Sequence, residues 1–216
     1  MAIESRDPSN DDSLLGTFNV VLRKYLQSCD DMLPAQVEVY DRARNIARVR
    51  PFIQLIDTDG NFHTRAPYSD IPVLILGGGN FLISYNLPVG SRGWIKASDR
   101  DLSIFRQSFR QAPPNTVRMH KFEDALFIPD VMTGYTIAAD DATAMVIQNT
   151  GGSVKISLSD TRININAPAV NINATGAIAL TSTSLTHNGT NIGDDHTHSQ
   201  GADSRGDAEQ DTGGPQ

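Results

Sequence analysis

The sequence predicts a mostly β protein that opens with a helix, continues as a small β-barrel and ends as an intertwined trimeric β-helix. Three observations predict this. Apolar residues recur at helical spacing just after Ser13, and several short apolar runs divided by turn residues follow. Beyond Tyr135 the aromatics give way to bursts of strict alternation among Asn, Thr, Ser, Ala and Ile.

The helix comes first. Residues 1–12 are polar and expected to be flexible. From Ser13 onward, Leu14, Phe18, Val21, Leu22 and Tyr25 fall three and four apart, with Leu15 and Leu26 beside them. That spacing makes an amphipathic helix of about four turns. The Asp/Ser cluster ahead of it supplies an N-terminal cap, and the Ser28-Cys29-Asp30-Asp31 run ends it. Its apolar stripe either packs on its own domain or docks on a partner, and the pattern fits both equally.

From Leu33 to about Trp94 the pattern is β. LPAQVEVYD alternates through Val37 and Val39, Asp41 to Asn45 make a turn, and IARVRPFIQLI runs to the turn signal Asp57-Thr58-Asp59-Gly60. IPVLIL and NFLISYNL flank Gly77-Gly78-Gly79, and WIKAS follows the segment from Pro88 to Gly93. About five short strands in so short a stretch make a small barrel, and we take the OB-type barrel among the small barrels. Asp101 to Phe109 are compatible with a short helical turn, and Ala112 to Asn115 with a loop. HKFEDALFIPDVM reads as a connector anchored by Phe122, Leu126, Phe127 and Ile128. The triple glycine lacks the Lys-Ser/Thr of a phosphate loop and marks a bulge or loop between strands.

The last part is a degenerate repeat. Val154/Ile156/Leu158, Ile163/Ile165, Val170/Ile172/Ala174, Ile178/Leu180, Leu185 and Ile192 begin bursts that lie 9, 7, 8, 7 and 7 residues apart. A period of two puts every second side chain on one face, and that face must be buried. One chain winding alone would need three strands per turn, so six bursts give about two turns, below the roughly three repeats a solenoid requires. Three identical chains around one axis bury the same face and leave no open edge, so we read a trimer in preference to a monomeric solenoid or half a sandwich. The segments are thus 1–31 with the helix, 32–134 as the OB-fold barrel, 135–192 as the triple-stranded β-helix, and 193–216 as the apex.

Of the five histidines, only the pair in Asp194-Asp195-His196-Thr197-His198 has ligand-like spacing. Residues i and i+2 of an extended strand point the same way. One chain offers two nitrogens, too few to hold a metal firmly, but a threefold axis makes six. Six imidazoles suit an octahedral first-row ion such as iron(II), whereas structural zinc prefers four ligands. Such a metal-pinned apex leaves no open position, so the metal would be structural. Asp194 and Asp195 are candidate acceptors that fix the ring tautomers. By spacing alone a surface His-x-His without metal is the commoner reading, and the trimer reverses the choice. His187 reads as a corner residue, and His63 and His120 as surface or packing residues.

The bulk numbers exclude other classes. A net charge of −7 argues against a nucleic-acid surface, so no nucleic-acid partner is expected. With aromatics at 6% and one tryptophan, Trp94, the barrel lacks the stacking platforms of a nucleic-acid or sugar binder. No G-x-S-x-G elbow and no carboxylate pair beside aromatic platforms appears, so no enzyme is expected. The single Cys29 permits no intrachain disulfide and fits assembly in a reducing cytoplasm. No signal peptide and no run long enough for a membrane helix is seen. An adhesin with a polar tip remains a rival, while Arg205-Gly206-Asp207 is read as a chance tripeptide.

Four stretches carry a resemblance: MLPAQVEVYDRARNIARVRPFI, IPVLILGGGNF, VGSRGWIKASDRDLSIF and HKFEDALFIPDVM. Together they resemble the N-terminal OB domain of the central spike proteins of contractile-tailed bacteriophages over residues 32–132. The Ser98-Asp99-Arg100-Asp101 run is the clearest mark. The downstream repeat and the His-Thr-His ending resemble the triple-stranded β-helix and apex of the same spikes. The resemblance implies a homotrimer at the virion's tail baseplate tip, docked by its barrels on the baseplate hub and led by its C-terminal tip through the host outer membrane. It implies one iron ion per trimer held by His196 and His198, and axial chloride or calcium ions that no motif here locates. The sequence has no room for the lysozyme domain some tail spikes carry. The N-terminal helix would be a hub- or tail-docking element.

Overall fold

A computed structural model describes residues 13–57, 59–198 and 205–206. The polar 1–12 segment, most of the tail beyond His198 and Asp207 of the Arg-Gly-Asp tripeptide lie outside the described residues. The chain forms two compact units, Met1–Asn166 and Ala167–Gln216.

Helix α1 spans Leu14–Ser28, and the Ser13 side chain caps it by accepting from the Gly16 N–H at 2.9 Å. Its apolar residues Leu14, Leu15, Phe18, Val21, Leu22, Tyr25 and Leu26 are 54–75% exposed. The stripe therefore does not lie on the barrel, and of the two readings the own-domain packing is not realised in this chain. The segment that follows is tied down instead. Asp30 N–H donates to the His120 carbonyl at 2.8 Å, the Asp30 carboxylate accepts from Phe122 N–H at 3.2 Å, and Arg65 reaches it at 3.3 Å.

The strands follow as Met32–Asp41 (β1), Ile46–Pro51 (β2), Leu55–Ile56 (β3), Phe62–His63 (β4), Tyr68–Pro72 (β5), Leu76–Gly78 (β6), Phe81–Ile83 (β7) and Arg92–Ser98 (β8). A four-residue helix α2, Phe105–Ser108, precedes Lys121–Pro129 (β9). Five of these strands make one antiparallel sheet in the order β5-β2-β1-β8-β9. Its two edges meet where Val73 bridges Phe127 in parallel, and Leu74 N–H donates to the Phe127 carbonyl at 2.8 Å. The sheet is thus a nearly closed, barrel-like cylinder, as a short strand set must be to hide its edges. Strands β3–β4 and β6–β7 are two separate exposed hairpins.

Inside lie Ala35, Val37, Val49, Ile71, Ile95, Phe122 and Phe127, all at most 1% exposed. Two findings differ from the sequence pattern. Val39 does not follow Val37 inward, because the pairing slips between them and a β-bulge turns Val39 to a 56% exposed position. The stretch HKFEDALFIPDVM is not a connector: its Lys121–Pro129 is strand β9, the barrel's fifth strand. Asn45, at φ 54°, closes the β1–β2 turn, and its side-chain amide donates to the Val73 carbonyl at 2.7 Å, which holds the sheet's far edge near β9.

Beyond the barrel, a 3-10 turn at Ala139–Asp141 leads to Met145–Gln148 (β10), Lys155–Leu158 (β11) and Ile163–Asn166 (β12), an antiparallel meander. In the second unit, Thr186–His187 (β13) and Thr190–Asn191 (β14) form a hairpin. Asn188 and Gly189 both take positive φ, 49° and 79°, as a two-residue hairpin turn requires.

Candidate functional site

The meander β10–β12 bares an apolar face. Its alternating residues divide the faces cleanly. Met145, Leu158 and Ile163 pair across the strands in one row, and Ile147, Ile156 and Ile165 in the next. All six point to the same face. Met145, Ile147, Ile163 and Ile165 are 58–66% exposed and Ile156 40%. The opposite face is mostly polar and partly buried. Lys155 there pairs with the buried Asp141, and Ser157 is 2% exposed. The Lys155 ammonium, then the Ser157 hydroxyl, hold the Asp141 carboxyl below the usual carboxylate range. An ion pair on the inside and five exposed apolar side chains on the outside, with Leu158 half-buried beside them, invert the ordinary arrangement of a sheet in a monomer.

In the second unit, Val170, Ile172, Ile178 and Leu180 are likewise exposed, and no strand is assigned between residues 167 and 185. His187 sits in the β13–β14 hairpin, at its corner. His196 and His198 are brought together. Their ring centroids lie 5.1 Å apart, edge to face. The Nδ1 of His196 is 2.5 Å from the Gly193 carbonyl oxygen. Asp195 accepts at 2.8 Å from the Asn191 amide, not from an imidazole. Among the described residues of one chain, no group of three or more His, Cys, Asp or Glu side chains is placed to hold a metal ion. Two imidazoles side by side supply two nitrogens, a share of a metal site rather than a whole one.

A polar network, unseen in the sequence, anchors the loop between β8 and β9. Asp101 and Asp124 are 5% and 2% exposed. Arg118 bridges them at 3.4 and 2.7 Å. Asp101 also accepts from the Thr116 hydroxyl at 2.6 Å and the Ser103 N–H at 2.8 Å, and Asp124 from the Leu102 N–H at 3.0 Å. Thr116, then Ser103, hold the Asp101 carboxyl well below the carboxylate range. Arg106 ties α2 to β9 through the carbonyls of Glu123 and Ala125 at 3.0 and 2.7 Å. The one available signal was the charge density of the Ser98-Asp99-Arg100-Asp101 run.

An open cleft of about 760 Å³ lies beside the barrel, lined by Tyr85, Leu87, Arg92, Asp130, Thr133 and Gln148. Its carboxylate, Asp130, is committed to the Met132 N–H at 2.9 Å and the Trp94 indole N–H at 2.8 Å. Arg92 donates to the Thr133 hydroxyl at 3.2 Å.

A barrel-like β domain followed by strands with an exposed apolar face defines the class as a mostly β protein. Residues 33–130, a little under half of the chain, match the family model described as the phage protein Gp138 N-terminal domain. That match covers the barrel and supports a phage structural protein with a virion location. No curated protein matches the chain. Among the described residues, no helix is long and apolar enough to cross a membrane.

Proposed function

We propose that this chain is the central spike of a contractile phage tail, a non-catalytic homotrimer that sits at the baseplate tip and pierces the host outer membrane when the sheath contracts. The observation that carries the reading is the apolar face of β10–β12, exposed at five of its six positions. Each of these side chains gains roughly 1 kcal/mol or more if a neighbour covers it. Two further copies of the same face around a threefold axis would cover it, and the exposed alternation from Val170 to Leu180 continues the same demand along the chain.

The strand order supports an OB-type barrel. Read around the cylinder, β1-β2-β5-β9-β8 with one parallel closing contact is the arrangement of that five-stranded Greek-key barrel. In this reading the barrel, the part that matches a phage domain, docks on the baseplate hub. In this reading residues 135–192 intertwine as a triple-stranded β-helix after assembly in the host cytoplasm, with axial chloride or calcium ions among the stacked side chains. His196 and His198 of three chains would hold one iron ion. The iron supplies no reaction there: it links three chains where the needle is too thin for an apolar core.

Elemental analysis and mass determination on untagged protein test both parts. A trimer with close to one iron per three chains is expected, with the iron lost and the trimer kept in the His196→Ala/His198→Ala double variant. A monomer would overturn the spike reading, and an iron-free trimer the metal assignment.

A further inference from the structure

We infer that the turn Asn191–Asp195 is a positioning device that holds His196 as its Nδ1–H tautomer and leaves Nε2 as the nitrogen offered to a metal. The inference rests on the metal reading above. A backbone carbonyl can only accept, so the ring nitrogen 2.5 Å from the Gly193 oxygen must carry a proton. In a neutral imidazole the other nitrogen is then the lone-pair donor that a metal needs.

The carbonyl that sets this choice is itself held. The Gly193 N–H donates to Asn191 Oδ1 at 2.9 Å, and Asn191 Nδ2 donates to Asp195 Oδ1 at 2.8 Å. The His196 backbone N–H donates to the same Gly193 carbonyl at 3.3 Å. One side chain, Asn191, therefore closes the turn from both ends. It is fixed in turn as the last residue of β14, paired with Thr186. Gly193 has a steric reason to be glycine. A Cβ there would lie 3.1 Å from Asn191 Oδ1 and 3.3 Å from Asp195 Oδ1, inside the two contacts that shape the turn. Because the His198 ring leans edge-on against His196, fixing one ring also restrains the other.

The role differs from ligation. Asn191, Gly193 and Asp195 touch no metal; they choose which imidazole nitrogen is free and where it points. Groups of this kind are typically worth about 10–100-fold in metal affinity.

The test uses full-length, ¹⁵N-labelled, untagged protein stripped with a chelator. Long-range ¹H–¹⁵N spectra report each imidazole's tautomer, and the same samples are then titrated anaerobically with iron(II) against a competing chelator. Wild type should show the Nδ1–H form at His196. Asn191→Ala and Gly193→Ala should show mixed tautomers and about 10–100-fold weaker iron(II) retention, with barrel melting and assembly mass unchanged. His198→Ala should lose the iron yet keep the His196 tautomer. An Nε2–H form at His196 in the wild type would overturn the inference, as would wild-type tautomer and iron affinity in both turn variants. Wild-type protein that takes up no iron but keeps the Nδ1–H form would sink the metal assignment while upholding the turn's control of the ring.

Discussion

Asp124 is a carboxylate inside a barrel strand, and it is tolerable there only because Arg118 and the Leu102 N–H meet it. Removing the guanidinium leaves Asp101 and Asp124 buried without the group that bridges them. Arg118→Ala should therefore lower barrel stability by about 3 kcal/mol, measured as a shift in denaturant midpoint at constant slope. Replacement without loss would show the network to be dispensable. The same carboxylates set an acid limit. Asp101 and Asp141 have folded pKa values below their ordinary range, and Asp57 is lowered to about 2, chiefly by His63 and then by Asn61. A depressed carboxylate stabilises the fold above its unfolded pKa and loses that contribution as pH falls through the folded one. The melting temperature should hold from neutrality to roughly pH 4 and fall below it. Asp101→Asn should flatten that fall, and an unchanged acid limb in this variant would remove Asp101 from the account.

Strands β10 to β12 show how far pattern carries. Alternation at Ile156/Leu158 and Ile163/Ile165 marks β11 and β12 correctly, since a period of two needs no knowledge of the partner. That the apolar face would be bare in one chain, with Lys155 and Asp141 locked behind it, needed the pairing register. Ile156→Asp, in the centre of that face, should prevent assembly yet leave the barrel folded, because the polar contacts of β11 lie on the other side. Sedimentation would show the smaller species, and an intact trimer would mean this face is not the interface. Strand β9 escaped the sequence reading for the opposite reason. Glu123 and Asp124 interrupt its apolar run, and only the folded contacts with Arg118 and the Leu102 N–H make the acid acceptable at its position. Val39 was misassigned by a single extra residue, which no alternation count reveals.

At the scale of the whole molecule, local periodicity accounted for most of what could be read. The 3–4 spacing marked α1, the Asn-Gly dipeptide falls at the β13–β14 turn, and His-x-His put two imidazoles side by side. These features were determined by the sequence itself because each depends on neighbours within a few residues, where backbone geometry alone sets the spacing. The tertiary structure decided the rest: the closing of β5 on β9, the partner of each buried carboxylate, the exposure of α1, and the carbonyl, rather than carboxylate, that engages His196. Those outcomes join residues by hydrogen bonds and burial across turns or long stretches of chain, and burial is a property of the folded whole that no local pattern contains.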